Sequence, residues 1–182
     1  MIDTPIIFLN GTTSAGKTSI ARELQKRLDE VYCVHGRDIF DNMFPEHIWS
    51  NNELMRKIGP KMYLGFHQSI AAYANQGNYI IVDHILNRKE WVYECAEAFK
   101  GIDTMFVGVK CPIDIAVKRE QERADRKSGL VRSQINIVHA HNIYDLELDT
   151  SKNSTSECVT RIIERMNGEK YNAFHKLRLI SG

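Results

Sequence analysis

The stretch that decides the fold is Ile6-Ile7-Phe8-Leu9-Asn10-Gly11-Thr12-Thr13-Ser14-Ala15-Gly16-Lys17-Thr18. Its first part is a short apolar run of the kind a parallel strand shows when both its faces are covered. Its second part, Gly11 to Thr18, fits G-x-x-x-x-G-K-[ST], and the residues beyond it take up the period of an amphipathic helix. That spacing has a physical reason. Small residues let successive backbone N–H groups turn inward around a phosphate at the positive N-terminal end of a helix. Gly11 and Gly16 supply the permissive backbone, Lys17 reaches the β- and γ-phosphates as a point charge, and the Thr18 hydroxyl ligates the magnesium that bridges them. An ordinary glycine turn is the competing reading, and the strand before and helix after weigh against it. The expected ligand is Mg-ATP or Mg-GTP, held by Gly11, Thr12, Thr13, Ser14, Ala15, Gly16, Lys17 and Thr18.

Outward from this loop, short β-branched runs alternate with longer helical segments, the pattern of parallel strands joined by crossover helices. Strands are expected at Ile6–Asn10, Val31–Val34, Tyr79–Asp83, Met105–Val109 and Leu146–Asp149. Helices are expected at Lys17–Asp29, Asp38–Met43, Glu53–Asn75, Lys89–Phe99, Pro112–Arg126 and Ser154–Asn167, with no structure assigned to the tail after Gly168. Gly77 and Gly101 read as helix C-caps, Pro112 as a first-turn proline, and Ser154 with Glu157 as a capping box. The class is α/β with a central, about five-stranded parallel sheet.

Composition sets the outer bounds. A chain of 182 residues with no repeat or linker is expected to be one domain, 1–182. With 43% hydrophobic and 26% charged residues it can bury a core, and disorder is excluded as the general state. Lysine plus arginine at 24 against 23 acidic residues leaves +1, so neither nucleic acid nor a membrane surface is an expected partner. Apolar runs far shorter than a bilayer span and scattered cysteines (33, 95, 111 and 158) point to a reduced, cytoplasmic protein, with homo-oligomerisation left open.

Group transfer needs a base and further cations over the phosphates. Asp38 follows the second strand at the carboxyl edge of the sheet, where it reads equally as a base or as a helix N-cap. Arg119, Arg123 and Arg126 recur at i, i+4 and i+7, with Arg132 beyond Gly129; they read as a lid over phosphates or as a solvated face. Asp83 closes an apolar strand, where it holds magnesium or simply ends the strand. His139 and His141 are read as structural residues. Trp49, Met55, Met62, Tyr63 and Phe66 are candidates for an acceptor pocket, with core packing as the alternative.

These residues together resemble the chloramphenicol phosphotransferase family, small P-loop kinases whose founding member phosphorylates a primary hydroxyl of the antibiotic. The likeness runs from the loop Asn10 to Thr18 through Gly36-Arg37-Asp38, Ile80 to Asp83, Val107 to Cys111, Arg119 and Asp125-Arg126. It continues through Gln134, Val138-His139, Tyr144-Asp145 and Asp149-Thr150, covering roughly Ile6 to Ile163. Thr13 stands where the family often has a small serine, His84 where an acid is common, and the segment Phe44 to Pro60 finds no match.

The resemblance implies a nucleoside-monophosphate-kinase-like three-layer sandwich with an arginine-bearing lid. It also implies ATP- and magnesium-dependent transfer of the γ-phosphate to a hydroxyl of a small organic acceptor. Asp38 is then the base, Lys17 and Arg126 stabilise the transfer, Arg119 and Arg123 contact the nucleotide, and Thr18 and Asp83 hold the metal. The alternatives are another small-molecule kinase, of shikimate, gluconate, nucleoside or zeta-toxin type, and a nucleotide-responsive binding protein without transfer activity.

Overall fold

In the computed structural model, which describes residues 3–122 and 129–181, β1 (Ile6–Asn10) is the middle strand of an all-parallel sheet. The others are β2 (Tyr32–Gly36), β3 (Tyr79–His84), β4 (Thr104–Lys110) and β5 (Leu146–Asp149), in the order β2-β3-β1-β4-β5. β1 pairs with β3 through Ile6 opposite Ile80 and with β4 through Ile6 opposite Thr104. The chain passes from β1 to one side for β2 and β3 and to the other for β4 and β5. A crevice therefore opens at the carboxyl end of β1, the place where open α/β sheets bind ligands.

Strand period 2 sorts the core into two halves. Ile6, Phe8, Ile80, Val82 and Phe106 face α3 (Asn52–Asn75), α4 (Lys89–Ala98) and α8 (Ala173–Ser181). Ile7, Leu9, Ile81, Met105, Val107, Val109 and Leu148 face α1 (Lys17–Arg27) and α7 (Thr155–Met166). All five residues of β1 are fully buried, which is why that run is apolar without alternation. The remaining helices are α2 (Arg37–Asp41), α5 (Ile113–Gln121) and α6 (Leu130–Val138), with a 3₁₀ turn at Glu46–Ser50.

The expected class and the parallel sheet are found, and the differences are local. Val31 lies outside β2 and is exposed, so the second strand starts one residue late and runs on to Gly36. Pro112 takes the N-cap position with extended ψ, and the helix begins at Ile113. Gly77 and Gly101 have φ of +81° and +82°, the left-handed geometry of a helix end. Ser154 and Glu157 close the reciprocal capping box at the start of α7. The tail forms α8, whose Ala173, Phe174 and Leu177 are buried against the aromatic core. Cys95, Cys111 and Cys158 are buried and Cys33 is exposed; all four are free thiols. No helix among the described residues is long and apolar enough to cross a membrane.

Candidate active site

The loop after β1 takes its shape from backbone chemistry. Gly16 has φ of +98° and Ser14 of +60°, so the chain turns inward just before α1. Gly11 serves by its lack of volume, since a Cβ there would stand 2.3 Å from the Val109 carbonyl oxygen. The Thr12 carbonyl accepts from Ala15 N at 3.2 Å and from Lys17 Nζ at 3.0 Å. Ser14 Oγ is buried and has no hydrogen-bond partner among the described residues. A loop that leaves a hydroxyl unsatisfied at a helix N-terminus fits a phosphate-bearing ligand.

This loop opens into a cleft of about 1200 Å³ lined by Thr13, Ser14, Gly16, Lys17 and Thr18. Gly11, Thr12 and Ala15 stand behind it and support its shape. The Thr13 N–H is donated to Gln134 Oε1 of α6 at 2.8 Å, so this amide fixes the loop to its neighbour.

At the end of β3, Asp83 faces the loop. Its Oδ2 accepts the Thr18 hydroxyl at 2.6 Å, and its Oδ1 lies 3.8 Å from Lys17 Nζ. Asp83 is therefore more than a strand-ending turn residue: it is in register with Leu9 and Gly36, inside the sheet. Thr18 and Asp83 supply adjacent hard oxygens, the donor type Mg²⁺ takes, so these residues fit that ion.

Asp38 lines the same cleft from the β2 side. It is the second residue of α2, whose N-cap is Gly36, which removes the N-cap reading. Arg37 beside it donates from Nε to Asp41 Oδ2 at 3.1 Å and from Nη2 to the Tyr63 hydroxyl at 2.8 Å. Burial pushes the Asp41 carboxyl up, and the Arg37 guanidinium opposes that shift. Asn87 and Ile85, from the loop after β3, complete this end of the cleft.

Opposite, Arg119 of α5 is held by Thr150 after β5. Its Nη1 donates to Thr150 Oγ1 at 3.0 Å and its Nη2 to the Thr150 carbonyl at 2.9 Å. The Thr150 hydroxyl donates in turn to the Ala15 carbonyl at 2.9 Å. Arg119 thus reaches the cleft already tied to the loop. Arg123 and Arg126 lie outside the described residues, as do Lys127 and Ser128 of the expected lid. Glu120 is buried at their near side and accepts from Gly129 N at 2.9 Å and Val131 N at 3.0 Å, joining α5 to α6.

Met62, Tyr63 and Phe66 are buried in the core, and none of the five aromatic and methionine candidates lines the cleft. The helical phase of α3 turns Tyr63 and Phe66 onto the sheet, whereas Trp49 lies in the 3₁₀ turn before α3 and is exposed. His139 bonds the Tyr144 hydroxyl at 2.7 Å and His141 stacks on Phe106, both packed beside β4. Sequence reasoning passed over Arg37, Asn87 and Glu120. Arg37 meets Tyr63, and Glu120 the Gly129 and Val131 amides, through contacts that no helical spacing announces, whereas the Arg37–Asp41 pair is i, i+4.

An all-parallel sheet with a phosphate-type loop at the carboxyl end of its middle strand is the fold of the P-loop proteins. Solved structures agree on the fold. A sugar kinase from Janibacter superposes with a TM-score of 0.69 at 16% identity, covering 90% of this chain and 95% of that one. A tunicamycin resistance protein from Deinococcus radiodurans gives 0.69 at 15%, covering 92% and 98%. The Mycobacterium tuberculosis APS kinase, solved with AMPPNP and APS, gives 0.64 at 14%, covering 92% and 100%.

Residues 4–167 match the model of the chloramphenicol phosphotransferase-like proteins, and the chain belongs to that family. A Mycobacterium tuberculosis protein that bears the provisional name O-phosphotransferase is 30% identical over 196 aligned positions, covering 95% of this chain and 87% of that relative.

Proposed function

We propose that the protein transfers the γ-phosphate of Mg-ATP to a hydroxyl of a small organic acceptor. The observation that carries this reading is one cleft that holds both chemistries. Lys17, Thr18 and Asp83 stand at its phosphate end, and Asp38 stands across from them on a separate element. A carboxylate lining the same cleft as the phosphate loop is suited to take the proton of an acceptor hydroxyl.

In this mechanism Lys17 and the inward-turned loop hold the β- and γ-phosphates, and Arg119 closes the nucleotide end. Magnesium, when bound by Thr18 and Asp83, neutralises charge on the phosphate oxygens. Asp38 takes the proton of the acceptor hydroxyl as its oxygen forms the new bond to the γ-phosphorus. The bond from that phosphorus to the β–γ bridging oxygen breaks, and ADP leaves. The roles of Arg123 and Arg126, as further cations over the transferring group, rest on the family resemblance. Catalysis is positioning plus electrostatics.

The test is incubation with ATP, magnesium and chloramphenicol as the first acceptor, followed by mass spectrometry for a product heavier by one phosphoryl group. Lys17→Ala should abolish product and ATP binding together. Asp38→Asn should keep ATP affinity and lose product; full turnover by this variant would refute the base. ATP bound with no transfer to any hydroxyl acceptor would favour a nucleotide-responsive binding protein.

A further inference from the structure

Asp38 sits on an unusually slight support. α2 has five residues and none of them is buried. Its backbone ends in a few turn bonds: Asn42 N to the Asp38 carbonyl at 3.3 Å, Met43 N to the Phe40 carbonyl at 3.0 Å and Phe44 N to the Asp41 carbonyl at 3.1 Å. Such a turn has little stability of its own. The side chains of Phe40 and Arg37 fasten it to the rest of the fold. The Phe40 ring packs on Phe66 with centroids 5.1 Å apart, and Arg37 reaches into a pocket between α3 and α4.

The Arg37 pocket is specific. The guanidinium bonds Asp41 four residues on, bracing the turn from end to end, and bonds the Tyr63 hydroxyl of α3. Its central carbon lies 5.0 Å from the Tyr63 ring centre and 5.9 Å from that of Trp91 on α4. Those two rings are themselves in contact, with centroids 4.2 Å apart. Trp91 stacks on His84, the residue after Asp83, at 5.5 Å and 22°. A planar fork with several donors suits this combination of carboxylate, hydroxyl and aromatic faces; an ammonium does not.

We infer that Arg37 is a positioning residue: it locks the turn that carries Asp38 onto Tyr63 and Trp91, and so fixes where that carboxylate stands in the cleft. The motif Gly36-Arg37-Asp38 leaves this place between glycine and acid unspecified, and here a cation fills it. The inference rests on the reading of Asp38 as the base, but the lock itself is a statement about α2. Arg37 need not touch the acceptor to matter, because a shift of about 1 Å in a reacting group costs on the order of 100-fold in rate.

Two measurements on the full-length protein test it. In the first, hydrogen exchange is followed by mass spectrometry with magnesium and a non-hydrolysable ATP analogue present. Arg37→Met should speed exchange across Gly36–Phe44 by roughly tenfold, the scale of one lost charged hydrogen bond, and leave β1 and α1 unchanged. Tyr63→Phe should do the same more weakly. Unchanged exchange in Arg37→Met would overturn the lock.

In the second, transfer is measured with chloramphenicol as probe. Arg37→Met should lower kcat on the order of 10- to 100-fold with the KM for ATP unmoved, and should cause no further loss in an Asp38→Asn background. Additive losses would mean that Arg37 does not act through Asp38. Full activity in Arg37→Lys would mean that charge alone suffices; either result overturns the inference. Absence of transfer by the unaltered protein counts against the acceptor reading, and the exchange measurement then decides the lock by itself.

Discussion

Moving the pH from 7 to 5 should cost this fold several kcal/mol, through rings held neutral in its interior. His67 and His84 are wholly buried with their Nε2 atoms 3.1 Å apart, and His67 Nδ1 lies 2.9 Å from Glu94 Oε2. One nitrogen of the His67–His84 pair must donate and the other accept, so the arrangement does not tolerate two imidazolium ions. Burial lowers His67 to about 4 and His84 well below its ordinary range. His139 and His141 are also lowered to about 4, first by burial. In the unfolded chain each ring returns to about 6.5.

The folded values lie below the unfolded ones, so between about pH 6.5 and 4 the unfolded chain binds the extra protons and stability rises with pH. The stabilisation is complete above that window and drains away as the pH falls through it. Each ring contributes about 1.4 kcal/mol per pH unit inside the window. Asp41 and Glu94 act in the opposite sense, because burial raises both carboxyls and the folded chain protonates them first. The three rings lowered to about 4 (His67, His139 and His141) alone correspond to about 4 kcal/mol between pH 6 and pH 5; His84 and His35, also lowered by burial, add to that loss, and the two carboxyls offset part of it. Against a total of about 5–15 kcal/mol, that is enough to bring the fold near its unfolding midpoint. Urea denaturation followed by circular dichroism at pH 7, 6 and 5 measures the slope directly. A free energy of unfolding that stays level across this range, or rises as the pH falls, would refute the reasoning.

Three substitutions follow from the same geometry. Glu120→Ala should cost about 2–4 kcal/mol in urea denaturation, because it strips two backbone N–H groups of a buried carboxylate; Glu120→Gln should cost less. Gly11→Ala should weaken ATP binding at least about tenfold by calorimetry, since the new methyl cannot stand 2.3 Å from the Val109 oxygen without moving the loop. Thr150→Val keeps the side-chain shape but loses the hydroxyl's bonds to the Ala15 carbonyl and Arg119 Nη1, while the Arg119 Nη2 bond to the Thr150 carbonyl stays; it should cost about 1–2 kcal/mol in stability and raise the KM for ATP several-fold.

What could be read in the sequence was what local backbone rules dictate. β1 runs from Ile6 to Asn10 as its apolar run demands, Gly16 takes the left-handed turn, and Ser154 with Glu157 closes its capping box. α6 was hidden because Lys127-Ser128-Gly129 reads as a break, and the ordered helix starts immediately after it. α8 was hidden because it is only nine residues long and its Phe174 finds its partners in Phe8, Phe99 and Phe106, far away in the chain. The Glu94–His67–His84 series has no local signature, and of the Arg37 pocket only the i, i+4 pair with Asp41 has one. His67 and Glu94 meet across 27 residues, and Arg37 meets Tyr63 across 26.

The phosphate loop itself is a smaller part of the site than its motif suggests. A loop of small residues has a large conformational freedom to lose, and the motif alone does not remove it. In this fold three polar residues from outside the loop do so. Asn10, fully buried, donates to the Val138 carbonyl and the Tyr144 hydroxyl while its Oδ1 accepts from Leu86 N, tying the loop's root to α6 and to the segment after β3. Gln134 takes the Thr13 amide, and Thr150 takes the Ala15 carbonyl. Each brace belongs to an element that also serves the cleft: α6 lines it with Leu130 and Gln134, Leu86 adjoins Ile85 and Asn87, and Thr150 holds Arg119. A ligand that presses on the loop therefore presses on both walls of the cleft. This coupling gives the elements around a small P-loop domain a physical route to respond to nucleotide together.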